Sequence, residues 1–365
     1  MNRIPRYVPI LKNGGGELTA LRYMAEDIAE ICVPLIDFVP RGNSGAGPGG
    51  RPGKSSSRIF EESVEGLLNH WSAPFDLIVD AHSLFSTEPW NPTSYMVDGC
   101  MAAHMAVIPA VRLSDPRRVL REVGAAVRRA CHQPICIRLT EDDLAGTKAY
   151  ELPARVDTTV RAVRKDPDSI HLVIDLGAIT DAEDARHKAR TTRLALPYVP
   201  HIDDWMSITV AGGAFPQDLS KVPLKTMTRL ERTELAFWRA VSTELTGKYN
   251  RAPAFGDYAV AFPRQTAGGR YSAPPQLRYT VDNGWLVMKY RRHENDRFFD
   301  ICEEITKCPD FTPGLTWGDE EIEARGHPDR PPSAPGPGNS STWRAIGTSH
   351  HVGYLAAHLP EPDDH

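Results

Sequence analysis

A chain of 365 residues with 41% hydrophobic and 24% charged residues can bury a substantial core, which excludes an intrinsically disordered protein. A formal net charge of -5 excludes a surface made for wholesale nucleic-acid binding, though not a local basic patch. No apolar run approaches the roughly 18–20 residues of a membrane-spanning helix, and the opening "MNRIPRYVPIL" lacks the pattern of a signal peptide.

The first predicted strand is "YVPILK" (7–12), followed by "CVPLIDF" (32–38), "FDLIVDAHS" (75–83), "AVIPAVRLS" (106–114), "PICIRLT" (134–140), "IHLVIDLG" (170–177), "WMSITVAGG" (205–213) and "PAFGDYAVAF" (253–262). These runs are rich in Val and Ile and nearly continuous in hydrophobicity, as parallel strands buried on both faces are.

Helical patterns lie between them. Glu17 to Ile31 places Leu18, Leu21, Met24, Ile28 and Ile31 on one stripe. "SDPRRVLREV" offers Asp115 as N-cap and Pro116 at the first helical position. "TDAE" (180–183) and "TRLE" (228–231) read as capping boxes, and Phe298, Cys302 and Ile305 share a later helix face. Strands alternating with helices predict a parallel sheet with right-handed crossovers. Eight units predict a closed (β/α)8 TIM-like barrel. The rival is an open doubly wound sheet; the count of eight, and the lack of G-x-G-x-x-G after any strand, select the barrel.

Two stretches break the pattern. Residues 40–57 form a Gly/Pro/Ser-rich segment expected to be a mobile loop, and 326–341 read as a flexible linker. The barrel is expected over 1–325, with a hairpin insertion at 264–293 turning at Asp282-Asn283-Gly284. Residues 342–365 are expected to be a C-terminal tail or lid anchored by Trp343 and Arg344.

In such barrels the C-terminal strand ends carry the ligand site. Here those ends are Lys12, Asp37, Asp80 with His82, Arg112, Arg138, Asp175, Gly212-Gly213 and Asp257-Tyr258. Burying so many charges is costly unless they pair or serve a ligand. Lys12, Asp80, Asp175 and Asp257 are the candidate catalytic groups, the three carboxylates as acid/base or metal-holding residues. Arg112 and Arg138 would aim two guanidinium forks at one anion, with Gly212, Gly213 and Tyr258 as further substrate contacts. Asp37 is the weaker member of the ring, because "DFVPRG" also leads out to the loop. No metal ligands are assigned, and a divalent metal stays open as the cofactor. The competing reading is that charges at a barrel mouth only pair with one another and hold loops.

Other motifs fall short. "GGRPGKSSS" misses the P-loop spacing, because Pro48 stands where the first glycine belongs. A lysine closing the first strand is similar to the Schiff-base lysine of pyridoxal-phosphate barrels, with no other element in support. "SHH" (349–351) with His358 lacks an identifiable carboxylate to complete a metal site. Arg117, Arg121 and Arg128 share a helix face that reads as solvated rather than nucleic-acid-binding. The cysteines Cys32, Cys100, Cys131, Cys136, Cys302 and Cys308 form no C-x-x-C pair and read as reduced, cytoplasmic, core-filling thiols.

"YVPILKNGGGELTAL", "VPLIDF", "LIVDAH", "VIPAVRLS", "HLVIDLGAI", "ITVAGGAFP", "FGDYA" and "STWRAIGTSHH" together resemble the family called beta proteins. That family is named for a phage protein and is found near mobile or defence-associated genes. The resemblance implies a setting of phage conflict, and no reaction or catalytic residue. The long 40–57 segment departs from the family's short connection. The expected function is therefore an enzyme, a hydrolase or lyase, working on an anionic, phosphate-bearing small molecule. The alternative is a non-catalytic recognition subunit that docks a protein partner.

Overall fold

The computed structural model describes residues 4–39, 56–70, 76–87, 91–105, 107–130, 133–264 and 273–359. Among these, eight parallel strands close into a barrel. They are β1 (Tyr7–Lys12), β2 (Leu35–Asp37), β3 (Ile78–Asp80), β4 (Ile108–Val111), β5 (Ile135–Thr140), β6 (Ile170–Ala178) and β7 (Ser207–Gly213), then β9 (Ala254–Asp257), with β8 (Thr228–Glu231) outside the barrel. Each barrel strand coincides with one of the apolar runs, β6 extending one residue past its run to Ala178, so the fold is the predicted (β/α)8 barrel.

Between the strands lie α1 (Gly15–Arg22), α2 (Glu26–Ile31), α3 (Ser56–His70), α4 (Pro92–Ala102), α5 (Arg117–Arg129), α6 (Glu141–Leu144), α7 (Lys148–Val163), α8 (Ala182–Ala195) and α9 (Thr233–Tyr249). After β9 come β10 (Gln276–Val281), β11 (Gly284–Lys289), α10 (Phe298–Thr306), α11 (Trp317–Gly326) and α12 (Ser340–His358). No helix among the described residues is long and apolar enough to cross a membrane.

Alternation along the strands sorts the core into two layers. Val8, Ile10, Leu35, Ile78, Ile108, Ala110, Cys136, Val173, Ala211 and Ala254 fill the barrel interior. The alternate residues, such as Ile137, Leu139, Ile174 and Val210, face outward and pack on Val123, Val127, Val156 and Phe237 of the helices.

Several local expectations give way to tertiary structure. The stripe from Glu17 to Ile31 divides into α1 and α2, and Tyr23 between them stacks on Trp317 with ring centroids 4.4 Å apart. "TRLE" (228–231) is the strand β8, not a helix start, because it finds backbone partners on β11. In "TDAE" the cap is Asp181, whose carboxylate accepts from the N–H groups of Glu183 and Asp184. Asp115 does not cap α5; its carboxylate accepts from the Arg112 N–H and faces the His82 ring, each at 2.8 Å.

β10 and β11 pair antiparallel, with Val281 opposite Gly284. Asn283 takes a left-handed φ of 52°, which asparagine tolerates. β8 joins it in a three-stranded sheet, and a side chain at Gly284 would meet the Leu230 carbonyl at 2.7 Å.

In the C-terminal segment, α12 packs against the barrel wall. Val352, Leu355 and Ala356 of α12 cover the outward-facing Tyr7 and Phe255, between α9 and α1. Trp343 and Ile346 also anchor the hairpin and α10 in a second core. Cys32, Cys100, Cys136 and Cys302 are buried free thiols. The larger part of the Gly/Pro/Ser-rich segment, residues 40–55, lies outside the described residues.

Candidate functional site

Lys12, Asp37 and Asp80 are register partners on adjacent strands, so they stand side by side at the C-terminal rim. Strand alternation carries all three inward, above the apolar fill. Arg138 reaches into the same layer from β5. Its Nε and Nη2 donate to Asp175 Oδ2 at 3.0 and 2.6 Å, and its Nη1 donates to Asp80 Oδ2 at 2.6 Å. Tyr258 accepts from Arg138 Nη2 at 2.9 Å and donates to Asp175 Oδ2 at 2.6 Å. Arg112 Nη2 donates to Asp80 Oδ2 at 2.8 Å. Gly177, with a left-handed φ of 64°, turns its N–H back onto Asp175 Oδ1 at 2.9 Å.

The mouth therefore gathers Lys12, Asp80, Arg112, Arg138, Asp175 and Tyr258 of the predicted set. It also uses them differently from the expectation. Arg138 is 2% exposed and every one of its nitrogens is engaged by protein groups, so it cannot offer a fork to an anion. It neutralises the carboxylates instead. Burial pushes the Asp80 carboxyl up, but the guanidiniums of Arg112 and Arg138 overcome this and hold it well below the usual range.

Three carboxylates share two guanidiniums, and Asp37 receives the least. It sits 3.6 Å from Arg138, and its buried Oδ1 has no partner. Burial raises its pKa, and Asp80 and Asp175 add to the rise. Asp37, the residue the sequence ranks lowest, is a carboxyl of the mouth whose environment favours a proton.

Beside this ring lies a group of cations. Lys12 Nζ donates to the carbonyls of Phe262 and Arg264 at 2.9 and 3.2 Å. One residue pair earlier, the Val260 carbonyl accepts from both Arg278 and Arg344, the latter at 3.2 Å. Arg278 also lies over the Phe215 ring, 4.3 Å from its centroid. The only carboxylate paired with these three cations among the described residues is Glu17, 3.8 Å from Arg344. Burial, then the nearby Arg344 charge, lowers the pKa of both Lys12 and Arg278. Such mutual repulsion is what a missing anion would relieve.

Arg278 and Arg344 had no signal as site residues. Arg278 alternates along an insertion strand, and Arg344 lies more than three hundred residues after β1, at 344 in the chain. Only the close approach of α12 to α1 unites them with Lys12; a side chain at Gly16 would meet Arg344 Cβ at 2.8 Å.

Asp257 is not in the mouth. It follows the outward-facing Phe255 by two residues and points to α12. Its Oδ2 is 2.7 Å from His351 Nε2 and 3.3 Å from Arg232 Nη2, and its Oδ1 accepts from Tyr7 at 2.7 Å. His351 Nδ1 is 2.7 Å from the Thr280 hydroxyl. Burial raises the Asp257 pKa, but His351 and Arg232 outweigh it and the net shift is downward. This cluster is sealed between barrel, hairpin and α12, with Asp257, Thr280 and His351 at 1%, 0% and 0% exposure.

Gly212 and Gly213 are packed against the wall rather than opened to the mouth. Added side chains would meet Ile179 at 2.7 Å and Pro263 at 2.8 Å. Among the described residues no group of three His, Cys, Asp or Glu side chains is placed to hold a metal ion, and His350 and His351 are both committed inside the sealed cluster.

A family description, Beta protein, matches residues 7–357. No curated protein matches the sequence significantly. Similar solved structures include a type I 3-dehydroquinate dehydratase from Clostridium difficile with covalently modified comenic acid, at 10% identity over 72% of this chain and 88% of that one, TM-score 0.40. Another is the N-terminal domain of a protein named as an aldolase from Bacteroides vulgatus, at 10% identity over 69% and 74%, TM-score 0.30. No residue role passes from either to this chain.

Proposed function

Because the chain belongs to the Beta protein family, whose resemblance carries no reaction with it, we propose a function from the mouth itself: an enzyme acting on a small anionic, phosphate-bearing molecule. The observation that supports this is the gathering of Lys12, Arg278 and Arg344 on the Val260 and Phe262 carbonyls, with a single carboxylate, Glu17, paired to Arg344. An uncompensated cation group at a barrel rim is a preformed anion site. Arg112 lies across the mouth with a buried Nε that has no partner, and is the second candidate to hold negative charge. Asp37 would carry the proton and Lys12 would act as base or nucleophile, a hydrolase or lyase arrangement. The cellular setting would be the phage conflict that the family resemblance implies.

The test is mass spectrometry of small molecules retained through purification, with calorimetric titration of inorganic phosphate alongside. Wild type should retain or bind the anion and Arg344→Ala should lose it. Equal behaviour of the two proteins would reject the site.

One observation favours a second reading, a non-catalytic recognition subunit. Arg138 closes the floor of the mouth with bonds to Asp80, Asp175 and Tyr258, which is what a purely structural plug would do. Under that reading an Asp37→Asn variant binds the same molecules as wild type and no turnover is found with either.

A further inference from the structure

We propose that Lys12 is an imine-forming nucleophile that takes the carbonyl carbon of an anionic oxo compound whose charge is held by Arg344 and Arg278. The proposal rests on the anion-binding reading of the mouth and names the substrate class for it.

Lys12 differs from another lysine of the barrel, Lys188. The buried Lys188 has a carboxylate, Glu141, at 2.6 Å as well as the Leu176 carbonyl at 3.0 Å. Lys12 has only two carbonyl partners and no ion pair among the described residues. An ammonium has three protons and a neutral amine two. The two carbonyls take two protons in either state, so losing the third breaks no hydrogen bond and frees a lone pair. Burial, the largest influence, and the Arg344 charge favour the neutral amine, and together they outweigh the opposing charges of Glu17 and Asp37.

The second requirement is an acid. Asp37 is the register partner of Lys12 on the next strand, about 5 Å away between backbones. Its unpartnered Oδ1 is buried within this mouth. The step balances without oxidant or reductant. The Lys12 lone pair forms a C–N bond as the carbonyl π pair moves to oxygen. Proton transfer from nitrogen to oxygen gives the carbinolamine. Asp37 then protonates the hydroxyl, the C–O bond breaks, water leaves, and an iminium remains opposite the Asp37 carboxylate. The iminium withdraws electrons from the neighbouring carbon, which suits lyase chemistry.

The third requirement is a reason for the substrate to be charged. Arg278 and Arg344 share the Val260 carbonyl beside the lysine's own carbonyl partners, so an anionic group bound there brings its carbonyl to Nζ.

The test treats the full chain with pyridoxal 5'-phosphate, or separately with glyoxylate, and reduces with cyanoborohydride. Intact mass and peptide mapping read the product. One adduct per chain is expected, at Lys12, forming at least about tenfold faster than at any other lysine, because only the neutral amine attacks the carbonyl. Inorganic phosphate should suppress it. The two probes separate a phosphate-bearing from a carboxylate-bearing substrate. Lys12→Arg should lose the adduct while still binding phosphate. Should that variant fail to fold, the pH profile of wild-type labelling decides, because Lys12 must react at lower pH than Lys307, whose pKa is raised by Glu303 and Glu304. Adducts spread over surface lysines with Lys12 unmodified, while phosphate still binds, would overturn the imine and leave the anion site standing. No phosphate binding by wild type would remove the anion site itself.

Discussion

His351 of the last helix lies 2.7 Å from Asp257 at the end of the last barrel strand, and the two bind the barrel's seam shut. A carboxylate only accepts, so Nε2 carries the proton and Nδ1 accepts from the Thr280 hydroxyl. A strand end that looks catalytic in the sequence is thus a structural joint between β9, the hairpin and α12.

Breaking that joint should loosen the tail helix first. His351→Ala leaves Asp257 with Arg232, Tyr7 and the Ala259 N–H, inside a dry cluster. The expected loss is about 3 kcal/mol or more, as for a buried pair stripped of one partner. Hydrogen exchange should show α12 opening before the barrel strands, and uniform loss of protection would contradict the picture.

Arg138→Met should be at least as damaging, by about 3–5 kcal/mol, since Asp80 and Asp175 would face each other without their shared guanidinium. Chemical denaturation measures this. Adding Asp175→Asn to the variant should recover part of the loss, whereas strict additivity would mean the charges are not coupled.

Arg344→Ala removes a half-buried cation at little cost to the core. A charge-assisted hydrogen bond is worth about 1.5–3 kcal/mol, so phosphate affinity should fall roughly 10- to 100-fold by calorimetry. An unchanged affinity would detach Arg344 from the anion site.

Gly213→Ala places a Cβ 2.8 Å from Pro263 and 3.0 Å from Tyr258. Overpacking of this kind costs about 1–3 kcal/mol. Since Tyr258 bridges Arg138 and Asp175, the substitution should also perturb the mouth, seen as a changed labelling rate at Lys12.

Glu234 sets a pH dependence. It shares Arg232 with Asp257, but Asp257 also has His351 and Tyr7, while Glu234 Oε2 has no partner. Burial, helped by the Asp257 charge, pushes its carboxyl up to about 7 against the attraction of Arg232. A raised acid binds more protons folded than unfolded between its unfolded value of about 4.3 and 7. Its contribution to stability is complete below about 4.3 and disappears as pH rises through about 7. Glu234→Gln should therefore flatten the fall in melting temperature between pH 5 and 8 relative to wild type. Parallel curves for the two proteins would refute the shift.

The barrel was legible because its cause is local and repeated. Eight runs of branched apolar residues, separated by helical stripes, leave few ways to bury themselves, and β6 with "IHLVIDLG" or β5 with "PICIRLT" need no partner to be recognised. The inward ring at the C-terminal ends followed from that same period, which is why Lys12, Asp80, Arg112, Arg138 and Asp175 could be named together. Whether a charge is spent on a neighbour or left for a ligand depends on distances between residues far apart in the chain. Strand parity turned Asp257 outward. Four hydrogen bonds consumed Arg138, and the approach of α12 and the hairpin brought Arg344 and Arg278 to Lys12. Periodicity is written into every few residues, so the sequence alone determined the architecture. Charge balance at the mouth is a sum over the folded whole, and only the tertiary structure decided it.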